Sequence, residues 1–316
     1  MRRKTMISEI KYSTHEEWLG IRSKYIGGSD ASAVIGLNPY ASRYSLWAEK
    51  TGKVPPFEGN LTTKVGAYLE QFVADLFEEE SGKKVRKKNG TMVNDLYPFA
   101  CANVDRMIVG EKAFLEIKTT NSIPLMKKLR NSDEFPEQYY CQVVHYLAVT
   151  GLERAYLAVL INCRELKIYE MERDQAEIDA LMGAEEEFWK LVETNTPPSP
   201  DGSEATSETI TALYPNANDD TVDLFAYNDI LRKYLDLTAQ IKALTDCKDE
   251  VGNMVKAYMK EAGKGESDKF KVSFSNTTRK SFDAKRFSAD HGNLDLTPYY
   301  NITNSRTFKV SAKEAK

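Results

Sequence analysis

Apolar residues recur at helical spacing over residues 61–81. Val65, Leu69, Phe72, Val73, Leu76 and Phe77 form the stripe, and Gly82 ends it. Upstream, residues 14–24 read as a short helix. Thr14 or Ser13 can cap it, and Glu16 and Glu17 suit its positive end. A Gly27-Gly28 bend leads through a Ser-Asp cap into a short apolar helix ending at Gly36. Another helix follows in "SRYSLWAEKTGKVPP", stopped by Gly52 and the Pro55-Pro56 pair. From residue 85 to 118 the pattern becomes one of alternation, predicting three strands over residues 84–94, 99–109 and 112–119. Residues 122–131 and 136–150 return to helical spacing. Residues 154–172 read as two strands joined near Asn162, and 174–194 as an amphipathic helix.

This order of elements predicts an α/β domain over residues 1–195, a central mixed β-sheet flanked by helices. "TPPSPDGSEATSE" begins a stretch rich in Pro, Ser and Asp, predicting a linker over 196–223. In the remainder, 224–316, Ile230, Tyr234, Leu237, Ile241, Leu244, Val251, Val255 and Tyr258 recur in steps of about three and four, with Lys248 interrupting the row. That is a heptad-like stripe on one long helix, suited either to packing on its own domain or to an oligomer or partner contact. Two strands, within 269–282 and 301–310, with a short helical stretch between them, complete a small β appendage.

Composition narrows the class only slightly. The chain is 41% hydrophobic and 28% charged, and no apolar run approaches a membrane span of roughly 20 residues. "MRRKTMISEI" is basic but lacks an apolar core, so no signal peptide is expected. The four cysteines form no CxxC pair, and with three histidines a His-rich zinc site is disfavoured. A reducing cytoplasm fits that usage. The net charge of −4 does not favour a nucleic-acid partner but does not exclude one, because binding follows local patches. Three basic patches are present: Lys83, Lys84, Arg86, Lys87 and Lys88; Lys127, Lys128 and Arg130; and Arg279, Lys280, Lys285 and Arg286, which could touch DNA.

Candidate chemistry sits in "ANVDRMIVGEKAFLEIKTTN". Strand alternation puts Glu116 and Lys118 on one face and Leu115 and Ile117 on the other, with Asp105 across the turn. A salt-bridged surface hairpin fits these letters. So does a site in which two carboxylates hold Mg²⁺ and a lysine attends a water or phosphate. Glu70 is either a helix-surface charge or a third carboxylate. Gln142 and Tyr146 share one helical face, either as packing or as a polar pair. Arg22 and Ser29 flank the Gly27-Gly28 bend, as a simple helix start or as a phosphate receptor.

Together, "RSKYIGGSDASAVIG", "GAYLEQFVADLF", "ANVDRMIVGEKAFLEIKT" and "QYYCQVVHYLAVTG" resemble, in order, the motifs of the YqaJ-type phage recombinase nucleases. These are relatives of lambda exonuclease in the PD-(D/E)xK nuclease superfamily, and the resemblance covers roughly residues 15–195. It implies an ATP-independent 5′→3′ exonuclease on double-stranded DNA, leaving 3′ tails for a single-strand annealing partner. It implies Mg²⁺, with Mn²⁺ as a substitute and two ions per site. By position, Glu70, Asp105, Glu116 and the Ile117 carbonyl look like metal ligands, and Lys118 looks like the residue that positions the attacking water. Gln142, with Tyr146 beside it, looks like the active-site glutamine, and Arg22 and Ser29 resemble a 5′-phosphate grip. Asn103-Val104 stand where a proline often precedes the aspartate; that proline is not a ligand. A ring-shaped homo-oligomer, a phage or prophage origin and the bacterial cytoplasm are further implications. The competing readings are a metal-dependent endonuclease or nickase, and a catalytically silent DNA-binding adaptor.

Overall fold

The computed structural model describes residues 6–131, 135, 137–292, 294–301 and 305–313. The side chains of Lys128 and Arg130, part of the second basic patch, and residue 136 of the expected 136–150 helix lie outside the described residues. The chain divides into two compact units, Met1–Tyr214 and Pro215–Lys316.

The first unit runs β1 (Ile7–Ile10), α1 (His15–Arg22), β2 (Ile26–Gly27), α2 (Gly28–Val34), α3 (Arg43–Lys50), α4 (Leu61–Ser81), β3 (Val85–Lys87), β4 (Thr91–Asn94), β5 (Tyr97–Ala102), β6 (Arg106–Ile108) and β7 (Ala113–Thr120). It continues with α5 (Ile123–Asn131), α6 (Glu137–Thr150), β8 (Arg154–Ile161), β9 (Glu165–Glu172), α7 (Gln175–Glu193) and α8 (Glu204–Leu213). The strands form two sheets, ordered β1-β4-β5-β2 and β3-β6-β7-β8-β9. The second is mixed: β7 and β8 are parallel, joined through α5 and α6, and the other pairs are antiparallel.

Local chemistry accounts for the ends of these elements. Thr14 and Glu17 make a reciprocal capping box at the start of α1. Gly82 takes φ 69°, the left-handed turn that stops α4. Asn162 and Cys163 both take positive φ at the β8–β9 hairpin. Alternation along β7 divides its faces. Ala113, Leu115 and Ile117 pack with Val73, Ala74 and Phe77 of α4, whereas Phe114 joins the core formed with α6. Phe77 is fully buried there, and truncating it to Ala would cost about 3–5 kcal/mol. Val65 and Phe72, expected in the same stripe, are exposed, because α4 covers the sheet along only one edge of that stripe.

Several expectations change. The single sheet is two, because each of the first two expected strands breaks and its halves join different sheets. The second break, at residues 103–105, is held by Asn103, whose amide donates to Thr91 Oγ1 at 3.0 Å. Asp105 therefore sits in the break and not within a strand. β1 was not foreseen; it is short, mostly exposed, and defined by its pairing with β4. The stretch expected as a linker contains α8. Ser203 caps that helix, and Thr206 donates to Ser42 at 2.7 Å from a buried position, so the first unit extends to Tyr214. Ser, Thr and Asp serve as helix caps as readily as they serve in linkers.

The second unit contains α9 (Asn228–Met259), a hairpin of β10 (Lys264–Glu266) and β11 (Lys271–Ser273), and α10 (Ala284–Asp290). The stripe from Ile230 to Tyr258 is real in register but exposed throughout. The expected strand at 301–310 is absent from its described residues; 302–304 lie outside them. Among the described residues, no helix is long and apolar enough to cross a membrane.

Candidate active site

A cavity of about 400 Å³ opens in the first unit, and every side chain singled out from the sequence lines it: Arg22, Ser29, Glu70, Asp105, Glu116, Lys118, Gln142 and Tyr146. Ile117 enters through its backbone, donating its N–H to Asp105 Oδ2 at 2.7 Å.

At one end the carboxylates gather. β6 and β7 pair Arg106 with Leu115, which carries Asp105 beside Glu116 at the rim of the break. Glu116 is buried. Its Oε1 accepts from Lys118 Nζ at 2.6 Å and from Gln142 Nε2 at 2.8 Å. Its Oε2 is buried without a partner among the described residues. Such an atom is costly unless a cation or donor meets it. Burial first, then the charge of Glu116, raises the Asp105 carboxyl well above the usual carboxylate range. Burial also raises Glu116, against the pull of Lys118. Burial would lower the Lys118 ammonium, but Glu116 and Asp105 outweigh it and raise it. Lys118 is therefore a charged donor in this state. Tyr146 is pushed well above its ordinary range by burial and by Glu116, and stays a neutral phenol accepting from Gln142 at 3.2 Å.

Glu70 arrives from α4, the helix that covers the opposite face of β7. It is held by the Arg106 guanidinium, which also donates to Gln71 at 3.1 Å and to the Asp105 carbonyl at 2.7 Å. Among the described residues, no three carboxylate, His or Cys side chains are grouped closely enough to hold an ion as they stand. Asp105 and Glu116 supply hard oxygen donors and one orphaned oxygen, and they suit Mg²⁺ chemistry. Glu70 Oε1 is engaged by Arg106 in this structure.

At the other end, α2 starts at the Gly27-Gly28 bend, and Gly28 lets α2 approach α6. A Cβ on Gly28 would clash with the Tyr146 ring. Arg22 donates to the Ser29 hydroxyl and, at 3.3 Å, to Asp30. The same guanidinium lies 5.3 Å from the Trp18 ring centre. Asp30 Oδ2 caps α2 by accepting from Gly27 N at 3.0 Å, and it meets Lys50 Nζ at 2.8 Å. Burial would raise the Asp30 carboxyl, but Lys50 and Arg22 hold it well below its ordinary range. Cys101 also lines the cavity; burial and Asp30 push its thiol up to about 12, so it is no nucleophile.

Sequence reasoning missed Tyr12, Trp18 and Asn103 in the lining, Lys50 and Arg106 as supports, and Asp30, read only as a helix cap, as the partner of Arg22. Trp18 could have been found as the i−4 neighbour of Arg22, and Arg106 as the neighbour of Asp105. Lys50, 28 positions from Arg22, carries no local signal. Lys87 and Lys88 of the first basic patch also reach the cavity.

This arrangement lies on a known fold. An alkaline exonuclease, LHK-Exo from Laribacter hongkongensis, superposes with a TM-score of 0.50 at 20% identity, over 57% of this chain and 94% of that one. Its complex with dAMP superposes with a TM-score of 0.50 at 18% identity, with the same coverage. The likeness is one of fold, the mixed α/β PD-(D/E)xK core. Residues 17–153 match the sequence model of the YqaJ-like viral recombinase domain. The uncharacterized protein YqaJ of Bacillus subtilis (strain 168) is 42% identical over 270 residues, 84% of each chain. The chain belongs to the YqaJ-like viral recombinase family. A shorter match, 36% over 63 residues, is to protein D345L of African swine fever virus, covering 20% of this chain and 18% of that one.

Proposed function

We propose that the protein is a metal-dependent, ATP-independent 5′→3′ exonuclease on double-stranded DNA, serving recombination by leaving 3′ single-stranded tails for an annealing protein. Family and fold support a nuclease acting in recombination. One observation carries the finer reading: a single cavity joins buried carboxylates short of positive charge to an Arg–Ser pair at a helix start.

In this reading Asp105, Glu116, Glu70 and the Ile117 carbonyl hold Mg²⁺, or Mn²⁺ in its place, as two ions per site. When bound, these ions supply Lewis-acid polarisation of the scissile phosphate and a water of lowered pKa. Lys118 Nζ orients that water and stabilises charge on the phosphoryl oxygens. Gln142 fixes Glu116 Oε1, and Tyr146 accepts from Gln142 and keeps the amide turned toward Glu116. Arg22 and Ser29 bind a terminal 5′ phosphate, holding the strand end in the same cavity as the carboxylates. Processivity is assigned to a ring-shaped homo-oligomer enclosing the duplex, in the cytoplasm of a bacterium carrying the phage or prophage.

Linear and covalently closed plasmid, incubated with Mg²⁺ or Mn²⁺, test the reading. Metal-dependent loss of the linear form with intact circles is expected. Nicked circles would replace it with an endonuclease, and no hydrolysis with either ion would leave a DNA-binding adaptor.

A further inference from the structure

Lys50 is a buried charge behind the cavity: its side chain is 1% exposed, it does not line the cavity, and its ammonium is spent on protein atoms. Nζ donates to Asp30 Oδ2 at 2.8 Å and to the Arg22 carbonyl at 3.2 Å. Asp30, in turn, meets Arg22 Nη2 through its other oxygen and caps α2 through the Gly27 N–H. One buried carboxylate therefore fixes three things together: the guanidinium of Arg22, the first turn of α2 that presents Ser29, and the lysine behind them.

A buried ammonium is expensive, and a neutral residue of similar length would fill the space. The charge itself must have a use. An Arg22–Asp30 pair alone would be neutral overall, and a neutral pair attracts phosphate weakly. Lys50 cancels Asp30, so that Arg22 keeps an uncompensated positive charge toward the cavity while its orientation stays fixed. Glu49 lies close enough for burial and Asp30 to raise its carboxyl while Lys50 lowers it, but it makes no ion pair with the three among the described residues.

We propose that Lys50 is a positioning residue for terminal-phosphate recognition, acting through Asp30 on Arg22 and Ser29 without touching DNA. The proposal rests on the reading of Arg22 and Ser29 as the phosphate grip. It extends that grip to a four-residue unit, Arg22–Ser29–Asp30–Lys50, selective for an anionic DNA end.

The test is the ratio of digestion rates on duplexes with a 5′ phosphate and with a 5′ hydroxyl, taken on one protein sample so that folded fraction cancels. Lys50→Met is expected to lower the wild-type preference about tenfold, Lys50→Arg to keep most of it, and Arg22→Ala to abolish it. The double variant Asp30→Asn/Lys50→Met removes both charges, leaves Arg22 uncompensated again, and should recover part of the preference. A purely structural Lys50 would slow both substrates equally. The inference is overturned if Lys50→Met keeps the ratio while Arg22→Ala loses it, or if the double variant is no better than Lys50→Met. If Arg22→Ala keeps the ratio too, the phosphate-grip reading fails and takes the inference with it.

Discussion

Asp30 and Asp105 are both buried aspartates, one behind the Arg22 end of the cavity and one lining its carboxylate end, and their environments push them in opposite directions. Asp30 is clamped between Lys50 and Arg22 and held well below the usual carboxylate range; Asp105 is raised well above it by burial and Glu116. Two cations attend one carboxylate at the first end. At the second, Asp105 and Glu116 share one lysine, and Glu116 Oε2 has no partner among the described residues. Since burying charge without compensation is costly, each end is incomplete in its own sense. The carboxylate end calls for a cation, and the Arg22 end for an anion. In the proposed function a divalent ion and a DNA terminus would satisfy both.

The largest effects belong to the carboxylate end. Lys118→Ala and Asp105→Ala should each lower cleavage by about 10³-fold or more with unchanged circular dichroism, measured on linear duplex in Mg²⁺. Robust digestion by both variants would break the assignment. Glu116→Gln should raise the apo melting temperature by removing a buried charge. It should also abolish the metal-induced stabilisation, which for the wild type reaches about 2.7 kcal/mol at 100 times Kd. Calorimetric melts with and without Mn²⁺ read both outcomes.

Much of this was legible in the chain, and particular residues show why the rest was not. The Leu115/Ile117 against Glu116/Lys118 alternation survives in β7 because a strand's period is fixed by its backbone. α4 and its Gly82 stop follow from helical spacing in the same way. Convergence of Asp105 on Glu116 needed only one turn. What stayed hidden depends on distant partners: Arg106 holding Glu70, Lys50 behind Asp30, and the breaks that divide β3 from β4 and β5 from β6 between two sheets. Ion pairs between separate elements leave no periodic trace, and a three-residue strand is shorter than the alternation that would announce it.

Smaller effects sharpen the contrast at the Arg22 end. Gly28→Ala would drive a Cβ into the Tyr146 ring, forcing α2 from α6 at a cost of about 1–3 kcal/mol in urea unfolding. Asp30 has its pKa lowered on folding, so the stability it contributes is present above the unfolded carboxylate value, near 4, and is lost as pH falls below it. Asp30→Asn should flatten that acid limb, seen as a smaller change in unfolding midpoint between pH 5 and pH 2.5. The smallest change is expected from Arg106→Gln, which frees Glu70 and removes a nearby positive charge. Mn²⁺ affinity by titration calorimetry should rise several-fold, and a fall would mean that Arg106 orients Glu70 for the ion and does not compete with it.

The central claim, that one cavity takes a metal and a 5′ end together, is tested most directly by product mapping. A linear duplex with a 5′ phosphate on one strand only, labelled separately on each strand, is digested in Mg²⁺. The account predicts mononucleotides released from the phosphorylated end inward, with the complementary strand surviving as a 3′ tail. Degradation that begins at 3′ ends, or internal cuts on either strand, would contradict it.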